Sequence, residues 1–269
     1  MTPSDMQSVI HSYENYKEDF RLQSNNSHRL EYLTTIAYMD KYIGPGMKIL
    51  DVAAGTGAYA LHYAETDCEV TALDITPSYI DLLKQKAEKR GLKVTSFPND
   101  ARDLSMFEEC SFNAVFCMGP IYHLTEAADR EKVLNECYRV LKPEGLLFLA
   151  YINKYFVFSQ FALNSRQYLQ EKFFQKVVID QTNRSTDPDN FWTDAWFTTP
   201  GEMEALAAAH RFAKIKHIAQ DGVGRLKSND VDAMPPEAFE KWAGFHLRMC
   251  EEPSILGISN HGLLIAMKK

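Results

Sequence analysis

The segment KILDVAAGTGAYA, from Lys48 to Ala60, carries the strongest signal in this chain of 269 residues. An apolar run holds a single acid, Asp51, and then opens into a loop of small residues that contains Gly55 and Gly57. The pattern predicts a turn from a strand to a helix, at which the loop N–H groups and the positive end of the helix face a ligand. Tight packing of the helix on the strand would account for the glycines equally well.

Strands and helices alternate after this turn. Predicted strands cover residues 47–53, 69–75, 93–98, 112–118 and 146–152, with helices between most of them. Such alternation indicates a parallel sheet with helices on both faces, and right-handed crossovers bring the strand ends to one edge. Ligands of such sheets bind outside the carboxyl ends of the strands, where the strand order reverses. The sequence therefore predicts an α/β fold with a ligand site at this edge.

The other segments are predicted to cover this core. Residues 1–43 are expected to be helical, and the apolar face of their last helix is expected to hold Leu30, Leu33, Ile36, Ala37 and Met39. Residues 153–198 are irregular and rich in aromatic side chains, which favours a lid that excludes water and shapes an apolar pocket. Many of these rings are also expected to build the core of the lid itself.

The C-terminal part returns to regular structure. A helix is predicted after Thr199, which has the spacing of a capping box with Glu202. The last two strands are predicted at 213–220 and 262–269. We expect a single domain, residues 1–269, that divides into a helical cover (1–43), a cofactor-binding core (44–152), a lid (153–198) and a C-terminal part with the last strands and a second cover segment (199–269).

Composition argues against several classes of function. The net charge is −7 and no long run of Lys or Arg occurs, so nucleic-acid binding is not expected. The five cysteines are scattered without a C-x-x-C pair, so neither a metal site nor a disulfide framework is predicted. No apolar run approaches about 18 residues, so no membrane span is expected. The polar start MTPSDMQSVIHSYENYKEDF is unlike a signal peptide, which favours a cytoplasmic protein.

The glycine loop is compatible with two classes of nucleotide-like ligand. GTGAYA matches the dinucleotide pattern G-x-G-x-x-G/A, which is a weak signal by itself. Asp51 distinguishes the two classes, because it stands four residues before Gly55 and a carboxylate there would repel phosphates. S-adenosylmethionine carries an ammonium, a sulfonium and no phosphate, so the same acid would attract it. Asp51 could also cap N–H groups of its own loop.

Two further acids end the next two strands. Asp74 lies 19 residues beyond Gly55, where an acid accepts hydrogen bonds from ribose hydroxyls. Asp100 ends the third strand and could accept a hydrogen bond from an adenine amino group. Each also has an ordinary local explanation, since Asp74 could cap the loop before Thr76 and Asn-Asp is common turn chemistry. The coincidence of three acids at three successive strand ends favours a nucleoside site.

These segments together resemble the class I S-adenosylmethionine-dependent methyltransferases. The matching stretches, in the expected order, are ILDVAAGTGAYA, VTALDIT, PNDARDL, FNAVFCMGPIYHL and ECYRVLKPEGLLFLAY. MGPIYHL and the upstream RLEYLTT are similar to a bacterial subgroup that acts on small molecules and is allied to the ubiquinone-biosynthesis type. The resemblance implies a Rossmann-like, three-layer α/β/α fold with a seven-stranded, mostly parallel sheet whose last strand is antiparallel. In one departure, Ala53 stands where many members have the first glycine of Gly-x-Gly-x-Gly.

The resemblance also implies a cofactor, S-adenosylmethionine, with S-adenosylhomocysteine as product, and a role for each matching position. The implied cofactor contacts are Asp51, Ala53, Gly55 and Gly57 for the methionyl part, Asp74 for the ribose, Ile75, Asp100 and Ala101 for the adenine, and the backbone at Met118 and Gly119 for the ammonium.

Candidates for the acceptor side follow the fourth strand directly. His123 could act as general base toward an O–H or N–H nucleophile, with Tyr122 beside it. The alternative is a histidine that packs on the methionyl tail or bonds a loop carbonyl. We treat Tyr122 and His123 as the candidate catalytic residues.

The predicted N-terminal cover supplies further candidates. The aromatic faces of Tyr13 and Tyr16 could attract the sulfonium, although packing between helices explains them as well. Arg21 or Arg29 could pair with the cofactor carboxylate, and the alternative is a surface arginine. Of these, Tyr16 and Arg29 are the predicted cofactor contacts.

The predicted reaction is an in-line displacement that moves a methyl group to O, N or C of a small organic acceptor. Alignment alone can supply roughly 7–11 kcal/mol of the barrier, so the sequence needs no triad or metal. A non-catalytic S-adenosylmethionine-binding regulator is the main alternative, and a nicotinamide-dependent oxidoreductase is a third. A protein or nucleic-acid acceptor is disfavoured. The sequence does not identify the acceptor or decide between a monomer and a homodimer.

Overall fold

A sheet of seven strands organises the chain. The structure is a computed structural model that describes residues 3–14 and 18–269. The strands, in chain order, are β1 (Lys48–Asp51), β2 (Glu69–Asp74), β3 (Val94–Pro98), β4 (Phe112–Cys117), β5 (Leu141–Ile152), β6 (Thr182–Asn183), β7 (Ala195–Trp196), β8 (Phe212–Ala219) and β9 (His261–Lys268). The large sheet has the order β3-β2-β1-β4-β5-β9-β8, and β6 and β7 form a separate pair.

The strand directions create a crevice at one edge of the large sheet. Strands β1 to β5 pair in parallel, whereas β9 runs antiparallel to both β5 and β8. The predicted seven-stranded, mostly parallel sheet with an antiparallel last strand is therefore confirmed. From β1 the chain winds outward first to β2 and β3 and then, on the other side, to β4 and β5. Such a reversal opens a ligand crevice at the carboxyl ends of β1 and β4.

Helices cover both faces and the carboxyl edge of the sheet. They are, in chain order, α1 (Pro3–Glu14), α2 (Asn26–Met39), α3 (Ala58–Ala64), α4 (Pro77–Lys89), α5 (Pro120–His123), α6 (Ala127–Val140), α7 (Lys154–Asn164), α8 (Glu171–Phe174), α9 (Pro200–Ala209), α10 (Val223–Leu226), α11 (Ser228–Asp232), α12 (Pro236–Met249) and α13 (Pro253–Leu256). Short 3₁₀ turns at Glu18–Gln23 and Arg166–Tyr168 and a π turn at Gln175–Ile179 complete them. Throughout the described part of the chain, no helix combines the length and the apolar character needed to cross a membrane.

The side chains of alternate residues in the central strands lie in two hydrophobic cores, one on each face of the sheet. Leu50 and Val115 pack with α6 and α9 on one face of the sheet. Ile49 and Phe116 pack with α2, α3 and α4 on the other face. Because the strands are covered on both sides, they read as continuous apolar runs in the sequence. The result is the predicted three-layer α/β/α arrangement.

The last core strand differs from its predicted bounds. β5 begins at Leu141, five residues before the predicted start at 146. Phe112 pairs with Leu141 and Ala114 pairs with Leu146, so the intervening residues of β5 bulge out of the ladder. Pro143–Gly145 therefore lie in a bulge within the strand, because sheet pairing is present on both sides of it.

The predicted buried face of α2 is wrong at Leu33, which is 37% exposed. The buried face instead carries polar residues, among them Glu31 and Thr35. Glu31 forms a bidentate ion pair with Arg21 at 2.7 and 3.0 Å, and Thr35 Oγ1 accepts a 2.7 Å hydrogen bond from Gln220. These polar partners come from distant segments, so the helical period alone does not reveal them.

Helix starts are placed where the capping residues predict them. At α9, the Thr199 hydroxyl accepts from the Glu202 N–H and the Glu202 carboxylate accepts from the Thr199 N–H, so the capping box is confirmed. α4 begins at Pro77, directly after Thr76. The Thr76 side chain itself makes no capping hydrogen bond.

Residues 153–198 build a small core of their own. Phe173 and Val177 are buried in a cluster formed mainly by aromatic and β-branched side chains of this segment. Its two ends lie side by side, since the Lys154 N–H donates to the Thr198 carbonyl at 3.0 Å. The expectation that the aromatic rings mostly pack on one another agrees with this cluster, and the division of the chain into cover, core and lid stays a prediction.

The antiparallel strand leads to a prediction about stability. Gly262 of β9 lies directly opposite Tyr151 of β5, and a Cβ atom at Gly262 would lie 2.3 Å from the Tyr151 ring. The ring cannot easily move, because it is fully buried and its hydroxyl lies 3.1 Å from His217 Nε2. We expect Gly262→Ala to lower the free energy of unfolding, measured in urea, by about 1–3 kcal/mol.

A glycine in open space supplies the control for this measurement. Gly244 lies within α12, and a Cβ atom there would meet nothing within 4 Å. Gly244→Ala is expected to leave stability unchanged or raise it by up to about 1 kcal/mol, since alanine favours helix. Equal stability of the Gly262→Ala protein and the parent would contradict the packing described for Tyr151.

Candidate functional site

A cavity of about 480 Å³ opens at the carboxyl ends of β1 to β4. This volume lies within the range of ordinary small-molecule sites. Its wall includes ten of the thirteen predicted site residues: Ala53, Gly55, Gly57, Asp74, Ile75, Asp100, Ala101, Met118, Tyr122 and His123. The strand order reverses between β1 and β4 at this place, so the cavity lies where the topology predicts a ligand.

Backbone conformation explains both glycines of the loop. Gly55 has φ of +53° and Gly57 has φ of +91°, values that favour glycine. At Gly57 an added Cβ would also lie 2.9 Å from Leu83 Cγ of α4. The loop can therefore turn tightly into α3 and bring its backbone close to the cavity. Close helix packing and an open ligand face are both present, so the two explanations of the glycines are compatible.

The alanine in the first glycine position is accommodated from the opposite side. A Cβ atom at Gly119, just after β4, would lie 3.1 Å from the Ala53 Cβ. A side chain larger than hydrogen at residue 119 would therefore crowd Ala53. Gly119, on the other side of the crevice, thus leaves the space that the Ala53 methyl group needs, so Ala53 can replace the first glycine without a change in the backbone path of the loop.

Asp74 ties the glycine loop to the second strand. One carboxylate oxygen accepts from the Gly55 N–H at 2.8 Å, and the other accepts from the Thr76 N–H at 2.8 Å. Burial raises the pKa of Asp74, and these two N–H donors act in the opposite direction. The loop-capping explanation of Asp74 is therefore present in the structure. An ionised carboxylate offers about four acceptor sites, so capacity for ribose hydroxyls remains.

Asp51 lies deeper than its predicted role requires. It is 1% exposed and is absent from the described wall of the cavity. One oxygen accepts a long hydrogen bond of 3.4 Å from the Ala53 N–H, and the other has no hydrogen-bond partner among the described residues. Burial raises the pKa of Asp51 to about 8. The structure therefore places Asp51 beneath the loop rather than on the described wall of the cavity, and its contact with the cofactor stays a prediction.

Asp100 is engaged by a neighbouring arginine. Its carboxylate accepts from the Arg102 N–H at 2.9 Å and from the guanidinium at 2.6 Å, and the same guanidinium reaches Asp129 at 3.0 Å. Ala101 is buried and lines the cavity beside it. The turn chemistry expected of Asp100 is thus present, and its carboxylate is oriented at the rim by Arg102.

His123 is buried at the methionyl end predicted for the cavity, next to Met118. Its Nδ1 lies 2.9 Å from the Asp194 carbonyl oxygen, which can only accept, so Nδ1 carries the proton. Its Nε2 lies 2.5 Å from the Tyr13 hydroxyl. The Tyr122 ring packs against the imidazole at 4.7 Å between centroids. The loop-carbonyl bond that we considered as an alternative is present, and it leaves Nε2 as an acceptor.

The candidate residues from the predicted N-terminal cover differ in their position relative to the cavity. Tyr13 lines the cavity, whereas Tyr16 lies outside the described residues. Arg21 also lines the cavity, with its guanidinium paired to Glu31. Arg29 is exposed, is absent from the cavity wall, and its guanidinium lies 5.3 Å from the centre of the Phe239 ring. The structure therefore does not bring Arg29 to the predicted cofactor, because α2 directs it to α12.

Sequence reasoning missed cavity residues on α4. Tyr79 and Lys86 both line the cavity, and the Lys86 ammonium pairs with Asp19. With Leu83 they follow the i, i+4, i+7 spacing of one helix face. A lysine within the apolar stripe of an amphipathic helix was the signal that could have identified this wall.

The cations at the cavity are matched by acids. Arg21, Lys86 and Arg90 line it, and each forms an ion pair: Arg21 with Glu31, Lys86 with Asp19, and Arg90 with Glu65. Paired cations offer little attraction to a pyrophosphate group. The described part of the cavity wall therefore carries little unpaired positive charge.

A buried polar group behind Arg21 has the composition of a metal site. Its members Glu31, Asp221 and His261 present ligand atoms within 4.8 Å of one another. His261 Nδ1 lies 3.0 Å from Asp221 and 3.4 Å from Glu31, while Arg21 occupies both oxygens of Glu31. The guanidinium and the imidazole already satisfy these carboxylates, so we interpret the group as a structural network.

Comparison with known proteins indicates one family for the core. A family profile described as Methyltransferase domain matches residues 49–145. The ubiquinone biosynthesis O-methyltransferase of Xanthomonas euvesicatoria pv. vesicatoria is 29% identical over 133 residues, which cover 49% of this chain and 52% of that protein. The protein of the same description from Xanthomonas oryzae pv. oryzae is 30% identical over an equal length, with the same coverage. The chain thus spans about half the length of the curated relatives it matches.

Solved structures share the fold over most of the chain. A methyltransferase described as S-adenosylmethionine-dependent, from Methanosarcina mazei, has a TM-score of 0.59 at 20% identity and covers 86% of this chain and 96% of its own. The 1,6-didemethyltoxoflavin-N1-methyltransferase of Burkholderia thailandensis, which holds S-adenosylhomocysteine, has a TM-score of 0.57 at 14% identity, covering 98% and 87%. The [4+2]-cyclase SpnF has a TM-score of 0.55 at 19% identity, covering 88% and 80%. At these identities the likeness concerns the fold alone.

The surroundings of His123 lead to a prediction about its protonation. Burial lowers the pKa of His123 to about 4, because the imidazolium loses its hydration there. We expect the ring to stay neutral, with the proton on Nδ1, until the pH falls to about 4. Long-range ¹H–¹⁵N NMR correlations of the histidine rings, assigned with a His123→Gln variant, would measure this. A midpoint near 6.5, or a proton on Nε2 at neutral pH, would contradict the described environment.

Proposed function

We propose that this chain, whose residues 49–145 match a family profile described as Methyltransferase domain, is a class I S-adenosylmethionine-dependent methyltransferase that moves a methyl group from S-adenosylmethionine to a small organic acceptor. The relatives that support a small acceptor are matched over about half their length, so the acceptor and the nucleophile are part of the proposal. An oxygen nucleophile is favoured, since the relatives are described as O-methyltransferases.

The observation that carries the proposal is the buried Asp51 carboxyl group. The Asp51 carboxyl lies beneath the glycine loop, and one of its oxygens has no partner among the described residues, so it would gain a charge interaction with a cation at that loop and none with a phosphate. A nearby cation would favour the ionised form and lower the raised pKa of Asp51. An ammonium or a sulfonium is such a cation, which supports S-adenosylmethionine and argues against a dinucleotide.

The residues of the cavity fit this cofactor in distinct ways. The Gly55–Gly57 loop and the start of α3 would hold the methionyl part, with the backbone near Met118 as a partner for its ammonium. Asp74 would accept from the ribose hydroxyls while it keeps the loop in place. Ala101 would lie against the adenine. When bound, the cofactor supplies a methyl group on a positively charged sulfur.

The chain's own contribution to the reaction is alignment and exclusion of water. α1 and the segment 153–198 meet over His123, since Tyr13 contacts Nε2 and the Asp194 carbonyl contacts Nδ1. A closed cavity prevents hydrolysis and fixes the acceptor against the methyl group. The neutral His123 presents an acceptor atom, so it can receive a proton from the nucleophile.

A second candidate function is binding of S-adenosylmethionine without methyl transfer. The [4+2]-cyclase SpnF shares the fold, and its name describes a reaction other than methyl transfer. For this reason we retain binding without methyl transfer as the second candidate. Site chemistry and fold are separate matters. Activity, rather than further comparison of folds, distinguishes the two functions.

The proposal predicts a specific order of ligand affinities. Calorimetry should detect binding of S-adenosylhomocysteine and no comparable binding of NADH, because the described cations of the cavity are paired with acids and are not available to a pyrophosphate. Incubation with methyl-labelled S-adenosylmethionine and a pool of small metabolites should then transfer label to an organic product. Tight binding of NADH alone would contradict the cofactor assignment. Binding of S-adenosylhomocysteine without any transfer would favour the non-catalytic alternative.

The role of Asp74 leads to a separate prediction. Asp74→Ala removes the acceptor for the Gly55 and Thr76 N–H groups and for the ribose. We expect it to weaken binding of S-adenosylhomocysteine, measured by calorimetry, by about 1–3 kcal/mol. Asp103→Ala is the matched control, because Asp103 accepts from the Ser105 N–H in an exposed turn that is absent from the cavity wall. Equal affinity of the Asp74→Ala protein and the parent would refute the role.

A further inference from the structure

Three segments that are distant in sequence meet at the His123 ring. Tyr13 comes from α1, His123 from α5, and Asp194 from the end of the segment 153–198. The Tyr13 hydroxyl lies 2.5 Å from His123 Nε2, and the Asp194 carbonyl lies 2.9 Å from Nδ1. The phenol and imidazole rings also make an edge contact, with centroids 5.3 Å apart.

The directions of these hydrogen bonds follow from the chemistry of the atoms. A backbone carbonyl can only accept, so His123 Nδ1 carries the ring proton. A neutral ring then has a lone pair on Nε2, and the Tyr13 hydroxyl must donate to it. The contacts therefore form a directed path along which a proton on Tyr13 can move to His123.

The path opens into the proposed cofactor cavity. Tyr13 and His123 both line it, and Met118 and Gly119 lie on the same wall. The Tyr13 ring is held in place by the Tyr79 ring, 6.1 Å away between centroids, and its backbone carbonyl accepts from the Tyr79 hydroxyl at 2.5 Å. Because the proposed ammonium site at Met118 and Gly119 lines the same cavity, this phenol would be available to an acceptor that approaches the methyl group.

We infer that Tyr13 is a catalytic residue that relays the proton of an acceptor hydroxyl group to His123 during methyl transfer. The inference rests on the proposed function, and it assigns the proton path and the class of nucleophile within that same site. The geometry supplies the proton path, and the hydroxyl class is taken from the relatives, which are described as O-methyltransferases.

The atoms and charges of this step balance. The acceptor oxygen exchanges its bond to hydrogen for a bond to the methyl carbon, and the electron pair of the methyl–sulfur bond stays on sulfur. The acceptor proton passes to the Tyr13 oxygen as the Tyr13 proton passes to His123 Nε2. The positive charge of the sulfonium thus disappears as an imidazolium forms, so the net charge of the cavity does not change. The imidazolium later releases the proton to solvent.

A weakly basic imidazole is sufficient for this role. The pKa of His123 is lowered to about 4 by burial, so the ring is neutral and able to accept at physiological pH. An oxygen that gains a methyl group while it still holds its proton becomes strongly acidic. Proton transfer late in the step is therefore favourable even to a weak base, and general bases of this kind typically contribute about 10²–10⁴-fold in rate.

The same contacts could instead serve only to hold α1 over the cavity. Ser8 of α1 provides the comparison, since its hydroxyl donates to the Asp194 carboxylate and it is absent from the cavity wall. A purely structural Tyr13 would resemble Ser8, because the hydroxyl group of each bonds α1 to another segment. A relay predicts different consequences for the two residues.

The experiment compares Tyr13→Phe with Ser8→Ala. Methyl transfer is measured with labelled S-adenosylmethionine and the acceptor identified in the metabolite-pool assay, and binding of S-adenosylhomocysteine is measured by calorimetry. Tyr13→Phe keeps the ring and removes only the hydroxyl, so we expect kcat to fall at least about 10²-fold with cofactor affinity within about threefold of the parent. Ser8→Ala should change KM or cofactor affinity more than kcat. His123→Gln should reduce kcat to a similar extent, and the double variant should lose little more.

Two further readouts test the path without relying on turnover rates. The ¹⁵N resonance of His123 Nε2 should shift in Tyr13→Phe and remain in place in Ser8→Ala, and the product should carry the methyl group on oxygen. Parallel behaviour of Tyr13→Phe and Ser8→Ala, or an unaltered kcat in Tyr13→Phe, would overturn the relay. A product methylated on nitrogen or carbon would overturn the hydroxyl assignment. Failure to bind S-adenosylhomocysteine would instead overturn the proposed function.

Discussion

The carboxylate of Asp74 is the constraint on which the site depends. It joins the end of β2 to the glycine loop after β1 through the Gly55 N–H, and it holds the start of α4 through the Thr76 N–H. The loop residues have positive φ, so without an external acceptor their course would be poorly defined. One buried acid therefore fixes the glycine loop relative to the end of β2, beside the crevice at the switch point of the sheet.

Electrostatic balance around the crevice follows from this arrangement. Arg21, Lys86 and Arg90 line the cavity, and each is paired with an acid, so the part of the wall that the structure describes offers no concentrated positive charge. Asp51 is buried below the loop with a raised pKa, which a cation would lower. His123 is kept neutral by burial. Such a site favours a cationic nucleoside and can accept a proton, two properties that methyl transfer from a sulfonium requires.

Local and periodic features of the core could be predicted from the sequence, whereas contacts made by the cover could not. Strands that are buried on both faces form continuous apolar runs, and the backbone conformation at position 57 requires glycine. Both features can therefore be recognised in the sequence. The depth of Asp51, the position of Arg29 against Phe239 and the approach of Tyr13 to His123 depend on how helices pack across long sequence separations. No sequence period or spacing predicts these contacts. The polar face of α2 shows that a helix can bury an acid, Glu31, when a cation from another segment, Arg21, pairs with it.

We propose that the crevice between β1 and β4 binds a phosphate-free, cationic nucleoside. A crystal structure of the chain with S-adenosylhomocysteine tests this claim most directly. We expect the ribose hydroxyls within hydrogen-bond distance of Asp74 and the amino-acid tail beside Met118 and Gly119, below Tyr13. A ligand bound elsewhere, or a crevice that stays filled by the protein's own side chains at saturating ligand, would contradict it.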